Sequence, residues 1–136
     1  MSVQNVEAVR SIYDAIARRD IPAFLGALDP GVELISPEAL PYGGTYHGPQ
    51  EVGEKYFAGF LRNVDDDFEL IADEYFDAGD TVIALGRLRG RARESGAPFE
   101  AVSFMAWTLR DGKVVRQRYM LDTAEVLKAL QAEAVA

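Results

Sequence analysis

The chain has 136 residues, 49% of them hydrophobic and 26% charged, and its 22 acidic and 14 basic residues give a formal net charge of −8. That length suffices for one domain with a substantial core, and the acidic balance argues against nucleic-acid or anionic-membrane partners. With no cysteine and a single histidine, disulfides, thiolate catalysis and multi-histidine metal sites are excluded.

The amino-terminal MSVQNVEAVRSIYD has no basic segment followed by an apolar run, and no apolar run approaches the ~20 residues of a membrane helix. A soluble cytoplasmic protein is expected. Val3, Val6, Val9, Ile12, Tyr13 and Ile16 recur at helical spacing, with Arg10, Asp14, Arg18 and Arg19 on the other side and Ser2 placed as N-cap. Asp20 followed by Pro22 starts a second, short helix through Phe24, Leu25 and Leu28, which Asp29-Pro30-Gly31 ends. VELIS at 32–36 reads as a strand.

Residues 36–52, SPEALPYGGTYHGPQEV, read as a long loop entering a third helix. Gly43, Gly44 and Gly48 permit unusual backbone angles, Pro49 suits a first helical turn, and Glu51 is placed to reach back to the cap. Val52, Tyr56, Phe57 and Phe60 give that helix its apolar stripe, and 62–67 is a polar connection. Strands follow at 68–76, 81–94, 99–110 and 114–122, separated by tight turns at DAGD, ESGAP and RDGK. Asp122 caps a last helix in which Val126, Leu127 and Leu130 pack.

Helices followed by consecutive, tightly connected strands predict a single α+β domain over 1–136 with an antiparallel sheet. Strands this long coil, Gly86 and Gly90 offer places to bend, and helices laid in the concave face leave an apolar pocket. Arg87, Arg89, Arg91 and Arg93 alternate and so share one strand face, either a solvated or interface row or, at Arg87, an internal cation. The opposite parity, Val82, Ala84, Gly86 and Leu88, is the more apolar. Asp65-Asp66-Asp67 cannot turn three consecutive carboxylates onto one ion, so no metal site is expected there.

Three segments carry a resemblance: the first helix running into RRDIPAF, the PYGGTYHGPQEV loop, and AWTLRDGKVV leading into LDTAEV. Together they resemble the NTF2-like superfamily and, within it, the SnoaL-like, ketosteroid-isomerase-like proteins, along essentially the whole chain. The resemblance implies a cone in which the N-terminal helices pack in a strongly curved antiparallel sheet. It also implies a homodimer formed through the sheet face and a cavity that takes an apolar small molecule without a cofactor. The ketosteroid-isomerase catalytic positions match Ile12, Met105 and Ser36, so that chemistry's carboxylates are missing. The limonene-epoxide-hydrolase set matches Tyr119, Arg87 and Arg89, of which only the arginine agrees with the pattern.

Candidate site residues follow from the likeness and from strand parity. Tyr119 is expected as an inward hydrogen-bond donor, Glu38 or His47 as a loop-borne proton acceptor, and Arg87 as an anion stabiliser. Ile12, Ile16, Ser36, Tyr42, Tyr46, Tyr56, Phe60, Met105 and Trp107 are expected around the pocket. For His47 a turn or capping role stands beside the acid–base one. Three functions stay open: cofactor-free isomerisation, cyclisation, dehydration or hydration; ligand binding without catalysis; or an interaction module using the outer sheet face.

Overall fold

The computed structural model describes residues 3–133; Ser2, expected as the first N-cap, lies outside them. The first helix, α1 (Val3–Ala17), buries Val9, Ile12, Tyr13, Ala15 and Ile16. It closes with Asp20 N–H donating to Ala15 O at 2.8 Å and Arg19 N–H to Ile16 O at 3.0 Å, with Arg19 at φ 61°. This is a Schellman ending with arginine where glycine is usual. Asp20 then caps α2 (Ile21–Gly26), its side chain accepting from Ala23 N–H at 3.1 Å.

Strand β1 (Leu28–Ser36) starts earlier than the expected 32 and absorbs Asp29-Pro30-Gly31. A second strand, β2 (Gly44–His47), lies inside the stretch read as loop. Its pairing with β1, Ile35 opposite Thr45 and Glu33 opposite His47, supplies hydrogen bonds that the local sequence does not advertise. The loop between them closes over Gly43, where a Cβ would lie 1.9 Å from Pro37 O.

The third helix is continuous but not uniform. It runs as α3 (Gly48–Glu51), a π-helical segment (Val52–Phe57) and α4 (Ala58–Asn63). His47 is the N-cap of α3, and its backbone N–H donates to Glu51 Oε1 at 2.8 Å, the reach-back expected of that glutamate. The remaining elements are β3 (Glu69–Ala78), β4 (Thr81–Arg91), β5 (Pro98–Arg110), β6 (Lys113–Leu121) and α5 (Thr123–Leu130), which Asp122 caps.

The six strands form one sheet in the order β2-β1-β6-β5-β4-β3. From β3 to β6 the neighbours are antiparallel, as their short connections require. β1, however, lies parallel to β6, with Leu34 beside Gln117. The sheet is therefore mixed rather than wholly antiparallel. These two strands are far apart in the chain, so no turn between them signals their direction. One continuous apolar core forms between the sheet's inner face and the N-terminal helices, with Trp107, Leu34, Met105 and Val9 fully enclosed. No described helix is long and apolar enough to cross a membrane.

Candidate functional site

Alternation along β5 and β6 turns Ser103, Met105, Trp107, Gln117 and Tyr119 to the inner face. Register sets Met105 beside Tyr119 and Trp107 beside Gln117. Hydrogen bonds then tie this floor together. Ser103 Oγ donates to the Tyr119 hydroxyl at 3.4 Å, Gln117 Nε2 donates to Met105 Sδ at 2.9 Å, and the Tyr13 hydroxyl approaches the same sulfur at 3.9 Å. The helices and the connection into β3 supply the opposite wall, in which Phe60 meets Phe68 edge-on at 4.8 Å and stacks on Phe57 at 6.0 Å.

Floor and wall enclose a cavity of about 40 Å³, lined by Ile16, Phe24, Tyr56, Phe57, Phe60, Phe68, Leu70, Leu88, Met105, Gln117 and Tyr119. Among water-sized spaces this holds about three molecules. The lining is apolar apart from Gln117 and the phenols of Tyr56 and Tyr119, and it contains no charged side chain. Burial pushes the Tyr119 phenol up to about 12, the Ser103 hydrogen bond opposing the shift. Burial likewise raises Tyr13 and Tyr42 and holds Tyr56 well above its ordinary value. At neutral pH these groups are proton-bearing hydrogen bonders. Two buried polar atoms on this side of the sheet, Tyr42 Oη and Gln117 Oε1, have no partner among the described residues, while Trp107 Nε1 and Ser36 Oγ lie beside the hydroxyls of Tyr13 and Tyr56.

Of the residues expected at the pocket, Tyr119, Ile16, Tyr56, Phe60 and Met105 line it. Ile12, Ser36, Tyr42 and Trp107 are buried in the surrounding core without lining it. Tyr46 is half-buried and donates to the carbonyls of Tyr42 at 3.0 Å and Gly43 at 3.3 Å, bracing the loop. Gln117, which shares Tyr119's strand parity, also lines the cavity without being among the residues expected there, and Tyr13 packs behind the lining against Trp107 and Met105.

Three expected polar residues stand elsewhere. Arg87 lies on the sheet's outer face, because Val82, Ala84 and Leu88 claim the core side of β4. It pairs with Asp73 at 3.2 Å and Glu100 at 3.7 Å, and the Asp73 hydrogen bond strengthens its hold on the proton. His47 is also outward, across the strand pair from Glu33, and its Nε2 lies 3.4 Å from that carboxylate. Glu38 is exposed on the loop and is not among the lining residues.

The rest of the arginine row is matched by carboxylates: Arg89 with Glu69 and Glu100, Arg91 with Asp67, and Arg93 with Asp65 and Asp66. The aspartate run is thus an anchor for two arginines, and no cluster of potential metal ligands occurs among the described residues.

Comparison with known proteins fits this geometry. The model of the SnoaL-like domain matches residues 9–117. The chain belongs to the SnoaL-like family. A crystal structure of an NTF2-like protein of unknown function from Burkholderia pseudomallei is 32% identical, with a TM-score of 0.88 over 97% of this chain and 100% of that one. An NTF2-like protein from Burkholderia thailandensis is 30% identical, with a TM-score of 0.89 over the same 97% and 100%. TerC, co-crystallized with polyporic acid, is 26% identical, with a TM-score of 0.86 over 95% of this chain and 99% of its own. No curated protein matches the chain significantly. The fold is thus NTF2-like, and the SnoaL-like chain carries its cavity between the helices and the inner face of a mixed sheet.

Proposed function

We propose that this SnoaL-like protein binds an apolar, ring-bearing small molecule in the cavity over Tyr119 and Gln117. The observation that carries the reading is a buried floor of hydrogen-bonding groups, one of them unpartnered, facing a cavity whose walls are aromatic. Buried polar atoms left without partners cost about 1–3 kcal/mol each, a cost that a ligand able to pair with them recovers. TerC, a relative of the same fold, was co-crystallized with polyporic acid, a small organic molecule. A cavity of about 40 Å³ is smaller than the roughly 150 Å³ that takes benzene, so the wall, built largely of phenylalanines, moves aside on binding.

Binding without turnover is the reading we favour over cofactor-free isomerisation, cyclisation or hydration. A proton-transfer catalyst needs a base within hydrogen-bond reach, and the lining supplies neither carboxylate nor imidazole. In the catalytic alternative Tyr119 donates a hydrogen bond and Glu38 swings in from its loop as the base. Thermal shifts against ring-bearing ligands test the binding claim. A ligand at about 100 times its Kd adds about 2.7 kcal/mol, which for this length raises Tm by about 9 °C. No shift with any steroid, aromatic polyketide, terpenoid or small aromatic ligand sinks it, whereas a shift accompanied by product formation that Glu38→Gln abolishes favours catalysis.

The proposal includes a second copy of the chain on the outer sheet face. Val102 and Met120 are 61% and 50% exposed there. Register runs an apolar row from Met120 through Phe104 to Leu85 across β6, β5 and β4, and the Arg87, Asp73 and Glu100 ion pairs edge it with both signs of charge. Val102→Glu together with Met120→Glu converts a dimer to a monomer by light scattering; a monomeric parent protein refutes the interface.

A further inference from the structure

The polar groups of the cavity specify more than apolar ring binding, though the inference rests on the cavity being a ligand site. Gln117 is buried, and its amide nitrogen is already engaged with Met105 Sδ at 2.9 Å while Oε1 has no partner. The opposite amide orientation would press carbonyl lone pairs against sulfur lone pairs, so packing fixes oxygen as the free atom. Gln117 lines the cavity, and the acceptor it has left to offer a ligand there is Oε1.

Tyr119 offers the complement. Its oxygen accepts from Ser103 Oγ at 3.4 Å, which leaves its own O–H to donate. Both side chains rise from the inner face of β6, two residues apart, so their backbones are separated by roughly 6.6 Å. That is about the span of a para-substituted ring. No cationic side chain lines the cavity, so an anion entering it would lose its hydration without a counter-charge.

We infer that the cavity selects a neutral aromatic ligand bearing a hydroxyl that donates to Gln117 Oε1 and, across the ring, a carbonyl that accepts from the Tyr119 hydroxyl. Selection arises from what the matching ligand gains by pairing a carbonyl that is already buried without a partner. A ring without the hydroxyl leaves the Gln117 carbonyl unpaired as it is in the free protein, and a ring without the carbonyl leaves the Tyr119 proton unused. Tyr42 also carries an unpartnered polar atom, but it stands behind the lining and does not enter this recognition.

Titration calorimetry at mildly acidic pH tests the pattern with five single-ring probes: 4-hydroxyacetophenone, acetophenone, p-cresol, toluene and benzoate. The expected order places 4-hydroxyacetophenone about tenfold tighter than acetophenone or p-cresol, one net hydrogen bond each, with benzoate the weakest. Gln117→Leu removes the advantage of the hydroxyl but keeps that of the carbonyl, and Tyr119→Phe does the reverse. Tyr119→Phe is isosteric and keeps the test decisive if Gln117→Leu does not fold. If affinity simply follows hydrophobicity, with toluene best, or if benzoate binds best, the donor–acceptor pattern is overturned while the cavity stands. If no probe binds, the cavity reading falls with it.

Discussion

Replacing Arg19 by alanine and by glycine separates two opposed contributions at the end of α1. The residue sits at φ 61°, a conformation that costs a side-chain-bearing residue about 1–2 kcal/mol. Its guanidinium offsets that cost as a clasp. Nη1 donates to Ile16 O at 2.9 Å, Nη2 to Asp66 O at 2.9 Å and also to Phe68 O, and the charge lies 4.0 Å over the Phe68 ring. Three net hydrogen bonds at an exposed site and one exposed cation–π contact sum to about 2–3 kcal/mol.

Arg19→Ala loses the clasp and keeps the strain, so it destabilises by about 2–3 kcal/mol. Arg19→Gly loses the clasp and relieves the strain, so it costs about 1 kcal/mol less than alanine. Equilibrium urea unfolding reads both from midpoints at constant m. Because Phe68 lines the cavity, the alanine variant also binds ring ligands more weakly. An alanine variant as stable as the parent, or a glycine variant less stable than alanine, refutes the reasoning.

Gly86→Ala is expected to cost about 3 kcal/mol and lower Tm by about 10 °C, because the added Cβ would lie 1.8 Å from the Ile71 carbonyl oxygen, beside the irregular register of β3 and β4; an unchanged melting curve contradicts the close approach. Alkaline pH selectively destabilises the fold. The buried phenols of Tyr13, Tyr42, Tyr56 and Tyr119 have folded-state values above the unfolded value near 10, so their stabilisation is fully present below pH 10. Between pH 10 and about 12 the unfolded chain releases these protons while the folded one keeps them, and stability falls by up to about 1.4 kcal/mol per pH unit for each phenol. Tyrosinate absorbance that rises only as the far-ultraviolet dichroism collapses is the expected result, and full ionisation in a folded protein is the contrary one.

Much of the fold is readable in the residues because it rests on local rules. The helical spacing of Val9, Ile12 and Ile16, the cap at Asp20 and the period-2 runs from β3 to β6 each state their structure within a few residues. What escapes such reading depends on partners distant in the chain. β2 exists because β1 pairs with it, and the parallel placement of β1 beside β6 is settled by packing. The π-helical turn that carries Tyr56 and Phe57 has no signature in VGEKYF.

The site divides along the same line. Strand parity finds Met105, Trp107 and Tyr119 and also brings Gln117 to the same face, whereas matching by family position draws Arg87 inward against its parity. His47 shows that a chemically capable residue in a suggestive loop can serve as an N-cap and an outer-face partner of Glu33. Tyr13 becomes legible only once Met105 and Trp107 are placed over it.

The central claim is that ligand enters between the helices and Tyr119. The protein contains 3 methionines, and two of them report on opposite faces of the sheet: Met105 lies in the cavity lining, and Met120 is 50% exposed on the outer face. Titrating methyl-labelled methionine protein with 4-hydroxyacetophenone while recording carbon–proton spectra therefore locates the ligand directly. The Met105 methyl is expected to shift and saturate while Met120 stays put. A stationary Met105, or a shift confined to Met120, would contradict it.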